Sequence, residues 1–337
     1  MILPSLEAAA APAPMRSFHT IGSEVLELLY QHRVLSTPQL HVLLTLPEKR
    51  PGRPVYLRWQ LGELHQAGLV DRVRAQGPGG RGRVRSQPFL WFLTEAGAES
   101  VEEAGELPAR PYRVTPESVA GARQAHTLAV NEVGIAFVEW ARRLGHECGP
   151  LDWTPEVANR IRDGQRRFED DHVISDAVLN YVHVESGRRT MLSFFVELDR
   201  ATMTSARLAA KLQTYGRLYE YVPQSADRAR RTPNATRPAW MYNYPVFPRV
   251  LVVLDAAPPK AGEPDRRPQR LAARTEDLYT RVGADVRLSR LKDDIHIGVT
   301  TLQQLQEHGP FAPIFTPLLR GTSAAGPVPT DLYLATK

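Results

Sequence analysis

VISDAVLNYVHVESGRRTMLSFFVELDR, residues 173–200, reads as a β-hairpin with acid residues on one face. Val173–Val184 and Thr190–Leu198 are rich in β-branched and aromatic residues, as strands are. Between them, Glu185-Ser186-Gly187-Arg188 suits a two-residue turn. A turn centred between Ser186 and Gly187 sets Asp176 opposite Glu197, with Cβ atoms roughly 5 Å apart. Asp199, two residues beyond Glu197, projects from the same face because side chains alternate along a strand. A slip of one residue would turn Asp176 to the other face. Three carboxylates on one patch repel one another unless a cation sits among them. Mg2+, which takes carboxylate and water oxygens, suits such a patch, with Asp176, Glu197 and Asp199 as its candidate ligands. Lys211 and Arg207 on the following helix are candidate cationic neighbours. The plainer alternative is that these acids cap or salt-bridge to Arg200, Arg207 or Lys211.

The flanking pattern extends the hairpin into an α-β-β-β-α-β order. A long helix is expected over Ser118–Leu144, a first strand near Leu151–Val157 and a helix from Thr202 to Tyr221. Arg249-Val250-Leu251-Val252-Val253-Leu254 is a continuous apolar run, typical of a buried parallel strand. A helix near Leu271–Val282 and a strand-plus-helix unit from Ile295 to Gln306 follow. The Pro- and Arg-rich stretches Pro223–Pro238 and Pro258–Pro268 are expected loops.

Upstream, Thr20 to Phe92 reads as three helices and a hairpin. Val25, Leu26, Leu28 and Leu29 recur at helical spacing, and Ser36-Thr37-Pro38-Gln39 is a helix-start signal. The third helix, about Pro54 to Ala67, buries Leu57, Leu61 and Leu64, with Gly68 as its cap. Strands Leu69–Arg74 and Pro88–Leu93 flank a Gly-rich tip. This is the order of a winged helix-turn-helix. From Lys49 to Leu93 there are nine basic residues and two acids, Glu63 and Asp71, while the whole chain has a net charge of +5. The basic excess therefore lies on the third helix and the hairpin, the parts a winged helix offers to DNA. Candidate DNA contacts are Arg50, Arg53, Arg58, Arg72, Arg74, Arg81, Arg83 and Arg85, with Gln60 also placed to reach base edges. Gly77–Gly82 matches the dinucleotide-binding pattern by letter, but no helix follows it, so the glycines mark a wing tip. Thr94-Glu95-Ala96-Gly97 opens a further helix to about Ala104.

Composition sets the outer limits. The 337 residues are 42% hydrophobic and 23% charged, which fits about two domains and excludes wholesale disorder. One cysteine, Cys148, excludes an internal disulfide framework and a CxxC zinc site, and fits a cytoplasmic location. No run of 18 uncharged apolar residues exists, so no membrane span is expected. The expected division is a flexible tail at 1–17, a DNA-binding domain at 18–105, a linker at 106–117, an α/β domain at 118–320 and a tail at 321–337. His126 lies among apolar neighbours on the long helix and is expected to be packed or hydrogen-bonded. His146-Glu147-Cys148 lacks further nearby ligands.

Taken together the motifs resemble the replication-relaxation family. They are Leu93-Thr94-Glu95-Ala96-Gly97 after the hairpin, His126, Trp153 and Glu156, Asp176-Ala177, Glu197-Leu198-Asp199-Arg200 with Thr202, then Lys211 and Tyr215. The second region also resembles the PD-(D/E)xK restriction-endonuclease-like fold. The resemblance implies an α/β (α+β) chain, a winged helix followed by a nuclease-like domain, acting in plasmid or mobile-element replication or relaxation. It implies a candidate catalytic set of Asp176, Glu197, Asp199 and Lys211, with Mg2+ as cofactor. Two departures stand out: Ser175 replaces the Pro of that pattern, and Asp199 replaces its Lys, a role Lys211 would have to fill. The expected partner is double-stranded DNA, with a homo-oligomer or other DNA-processing proteins beside it. Two rival readings are an active metal-dependent endonuclease and a non-enzymatic transcriptional regulator or assembly factor.

Overall fold

A computed structural model describes residues 18–46, 54–75, 87–110, 112–121, 123–164, 167–223, 237–259, 262–319, 322–323 and 326–334. The expected tail at 1–17, the loop residues 224–236 and the hairpin tip at 76–86 thus lie outside the described residues. Most of the expected tail at 321–337 is described, and it is not a free tail: Leu332 and Leu334 are buried in the core, and Thr330 bridges to Phe315.

The N-terminal elements are α1 (Phe18–His32), β1 (Leu35–Ser36), α2 (Thr37–Leu44), α3 (Val55–Gln66), β2 (Val70–Arg74), β3 (Phe89–Leu93) and α4 (Glu95–Ala104). The Ser36 hydroxyl accepts from the Gln39 N–H while the Gln39 side chain accepts from the Ser36 N–H. This reciprocal cap, with Pro38 in the first turn, starts α2 as the sequence implies. Leu57, Leu61 and Leu64 make the buried stripe of α3. Strands β2 and β3 form an antiparallel hairpin, and β1 adds to the β3 edge.

Next come α5 (Pro116–Ala120) and α6 (Gln124–Leu144). One long helix was expected here. Instead Thr115 caps a short helix that ends where Gly121 turns extended, with ψ at 177°, and glycine is a poor helix residue that takes such a break at little cost. The remaining elements are β4 (Trp153–Arg160), α7 (Phe168–Asp171), β5 (His172–Glu185), β6 (Arg188–Asp199), α8 (Ser205–Glu220), β7 (Arg249–Leu254), α9 (Arg267–Gly283), α10 (Val286–Arg290), β8 (Ile297–Thr301), α11 (Leu302–His308), β9 (Thr316–Pro317), β10 (Thr322–Ser323) and β11 (Gly326–Pro327). The chain is a mixed α/β protein. Its six-stranded sheet has the order β4-β5-β6-β7-β8-β9, parallel from β6 to β8 and antiparallel at both ends.

The β5–β6 register is the one the turn implies: Ala177 pairs with Val196 and Glu185 with Arg188. Ser186 and Gly187 both have positive φ, 50° and 80°, as the mirror-image hairpin turn requires. Alternation then sorts side chains by face. Phe194, Val196, Leu251 and Val253 join the core beneath α6 and α11, whereas Phe195, Val250, Val252 and Leu254 pack with α8 and α9. Glu197 and Asp199 alternate with Val196 and Leu198 and so belong to the α8 side.

The N-terminal elements share one apolar cluster with α6 and the inner face of the large sheet. Trp153 sits at this junction. The His32 ring stacks on it at 3.9 Å and 17°. Gly134 lets the Trp153 ring lie against α6, since a Cβ there would be 2.4 Å from that ring. Gln31 donates to the Trp153 carbonyl at 2.9 Å, and Asn131 donates to the Val34 carbonyl at 2.9 Å. Arg142 of α6 donates to the carbonyls of Val42 and Leu43 at the end of α2, a favourable place for a cation. In the segment after α4, Arg110 likewise donates to the Tyr30 and Gln31 carbonyls, and Arg113 pairs with Glu102. Among the described residues, no helix is long and apolar enough to cross a membrane.

Candidate functional site

Two places gather charge. The first is a cavity of about 630 Å³ between α2, α3 and the β2–β3 hairpin. Arg58, Arg72, Arg74 and His41 line it, with Thr37 and Pro38 at the start of α2. The Arg72 guanidinium lies 4.3 Å from the Phe89 ring centre and 5.2 Å from that of Trp91, and the Arg74 guanidinium lies 4.3 Å from Phe89. These cation–π contacts hold two flexible side chains on one side of the hairpin. Arg74 also donates to the Gln87 carbonyl at 3.2 Å. Gln60, expected to reach base edges, instead has its amide beside Gly22 of α1. It belongs to the other flank of α3. Arg50, Arg53, Arg81, Arg83 and Arg85 lie outside the described residues.

The second place is the end of β5 and β6 nearest α8. Asp176 lies where the β4–β5 ladder skips a pair, opposite Glu156, whose φ is +52°. One Asp176 carboxylate oxygen accepts from the Leu198 N–H at 2.8 Å. The other lies 3.5 Å from Lys211 Nζ and 3.5 Å from His126 Nε2. Glu197, 1% exposed, uses both oxygens as well. Tyr215 donates to one at 2.5 Å, and Lys211 pairs with the other. Lys211 and Tyr215 share one face of α8 because they are four residues apart, so a single helix delivers both donors.

Burial dominates the electrostatics. It pushes the Glu197 carboxyl up to about 8, helped by the nearby Asp176 charge and opposed by Lys211 and Tyr215. For Asp176, burial is outweighed by the His126 contact, the Lys211 charge and the Leu198 N–H, which together hold it below its ordinary value. Burial lowers Lys211, but the two carboxylates raise it further, so it stays cationic. The arrangement neutralises itself: one ammonium lies between the Asp176 carboxylate and a Glu197 carboxyl that keeps its proton below about pH 8, with a phenol and an imidazole at the edges.

Asp199 does not join it. Its carboxylate pairs with Arg274 of α9 and accepts from the Ala201 N–H at 3.1 Å. Arg207 follows the N-cap of α8, where its N–H donates to Thr204. Arg200 faces Asp255 at 3.6 Å. The residues proposed as Mg2+ ligands therefore separate, two to Lys211 and one to Arg274, and all the oxygens of Glu197 and Asp176 already have partners. Among the described residues no group of three or more His, Cys, Asp or Glu is arranged to hold a metal ion. As arranged, the donor set does not fit Mg2+.

Sequence reasoning placed Asp176, Glu197 and Lys211 together and set Tyr215 beside Lys211 only through the family motif. It missed Arg274 as the partner of Asp199, which comes from a helix 75 residues away. It also missed the pairing of Arg33 with Glu156. Arg33 too has a positive φ, 67°, and no composition signal marks either residue.

The replication-relaxation family model matches residues 26–233, more than half of the chain and including both charged places. No curated protein and no solved structure matches.

Proposed function

The chain belongs to the replication-relaxation family, and on that footing we propose that it binds double-stranded DNA during replication or relaxation of a plasmid or related mobile element, in the cytoplasm. In this reading the elements from α1 to β3 act as a winged helix-turn-helix, and residues 18–105 are the DNA-binding part. Residues 118–320 form a nuclease-like scaffold behind it. The observation that carries the proposal is the Arg58, Arg72 and Arg74 groove. Three guanidiniums on one concave side suit phosphates, and each neutralised phosphate releases counterions, so affinity falls steeply with salt. Titrating a labelled duplex at several salt concentrations tests this. Binding that ignores salt, or that Arg58→Ala leaves unchanged, would count against it.

A second reading, a metal-dependent endonuclease, draws on the closeness of Asp176, Glu197 and Lys211. Against it stands the donor set, which has no free oxygen to offer a cation until Lys211 moves. Supercoiled plasmid incubated with Mg2+ or Mn2+ separates the two readings. Nicking by the wild type and not by Glu197→Ala would favour the nuclease. A mobility shift without cleavage by either protein would leave DNA binding standing alone.

A further inference from the structure

The outward ridge of α3 is aromatic. Val55 is 69% exposed, Trp59 51% and Tyr56 36%. The Tyr56 and Trp59 rings, three residues apart on the helix, have centres 5.7 Å apart and are tilted by 34°. Leu57, Leu61 and Leu64 bury the opposite side. Arg58 sits on the flank toward the hairpin, lining the groove with Arg72 and Arg74. A helix that reads intact duplex by its base edges needs long polar side chains on its outward ridge. This one instead offers two ring faces, with its guanidinium to the side. Large exposed aromatics on a folded surface mark a contact site.

Building on the proposed DNA binding, we propose that Tyr56 and Trp59 are a stacking platform for unpaired bases, so that the preferred ligand is duplex DNA with an opened or single-stranded stretch. An intact duplex hides base faces within the stack, and only an unpaired base presents one. Single-strand binding sites combine a basic track with aromatic rings, and stacking tolerates any sequence because every base has a π-face. Here the Arg58, Arg72 and Arg74 groove is the track and the α3 ridge is the platform. Charge argues for a polyanion rather than a second copy of the chain. The segment 49–93 carries nine basic and two acidic side chains, so two copies of it brought together would repel.

Fluorescence anisotropy with the full chain tests it, using three labelled probes of one sequence: a single strand, a blunt duplex and a duplex with a central unpaired bubble. Trp59→Leu, Trp59→Phe and Tyr56→Ala are compared with wild type, each checked by thermal melting. The wild type is expected to prefer the bubble and the single strand. Trp59→Leu is expected to weaken those two by roughly tenfold to a hundredfold, the worth of one base–aromatic stack. It should leave the blunt duplex almost unchanged, and Trp59→Phe should keep most of the preference. Equal binding of all three probes, unaltered by Trp59→Leu, would overturn the platform and leave duplex binding intact. A dimer in sedimentation that Trp59→Leu dissociates, with DNA affinities unmoved, would overturn it in favour of self-association. No binding to any probe would overturn the DNA reading itself.

Discussion

Acidification should loosen the junction at Trp153 through one imidazole. His32 is fully buried, stacked on Trp153, with Nε2 donating to the Pro150 carbonyl at 2.7 Å. Among the described residues its Nδ1 has no hydrogen-bond partner, so a second ring proton would be stranded. Burial is the main cause that holds its pKa down at about 3, the Pro150 bond works the other way, and the Arg110 charge adds to the depression. A base with a depressed folded pKa is neutral in the fold and takes up a proton when unfolded. Its contribution is therefore complete above an unfolded pKa of about 6.5 and declines as pH falls toward about 3. Between about pH 7 and about pH 5 the loss comes to about 2 kcal/mol, at 1.36 kcal/mol per unit of separation. His32→Phe keeps a ring against Trp153 and removes the titration. It carries a pH-independent cost of about 1–3 kcal/mol for the unpaired Pro150 carbonyl. Urea unfolding followed by circular dichroism, for both proteins across that range, should show the gap narrowing by about 2 kcal/mol as the solution becomes acid. Parallel curves would refute the assignment of a buried neutral His32.

Glu197 has the opposite sign: its folded pKa of about 8 exceeds the ordinary value of 4.5, so its contribution is present at acid pH and is lost as pH rises from about 4.5 to about 8. Glu197→Gln should flatten that descent, by up to about 1.4 kcal/mol per pH unit, in the same unfolding assay. An undiminished slope would show that the carboxyl is ionised in the fold. Gly134→Ala should destabilise by about 1–3 kcal/mol or more through the clash with Trp153, although alanine is the better helix residue by about 1 kcal/mol; a raised melting temperature would mean that the ring can move aside. Arg58→Ala should weaken duplex binding and lower the slope of log affinity against log salt by about 1, and an unchanged slope would place Arg58 away from phosphate.

The β5–β6 hairpin was legible because its information is local. Ser186-Gly187 can occupy positive φ, and the turn then sets every pair along both strands. The β7 strand was legible because six apolar residues in a row need cover on both faces. The Lys211 contact followed in outline, since α8 returns across the hairpin. Asp199 was misplaced for a reason that alternation along a strand cannot supply. Its face was right, but which cation covers that face depends on how α9 packs on α8, where Arg274 stands. Gln60 shows the same limit on a helix: it lies on a flank, and α1 decides which flank is buried. The break at Gly121 was masked by helix-forming residues on both sides. His126 was seen as packed or hydrogen-bonded, but its contact with Asp176 depends on the start of α6 reaching the end of β5.

The shared apolar cluster also bears on how this chain can be taken apart. Val25, Leu29, Leu35, Leu40 and Trp91 pack in one cluster with Val133, Phe137, Trp153 and Phe194. A fragment ending after α4 would leave the first group uncovered, and one starting at α6 would uncover the second. Exposed faces of that kind invite aggregation. Grafting the N-terminal part onto another protein would therefore require α6 to travel with it, or its apolar positions on α1, α2 and β3 to be redesigned. Limited proteolysis between the two sheets should release no soluble halves. Any displacement of α3 is felt in the same packed interior that holds up the six-stranded sheet.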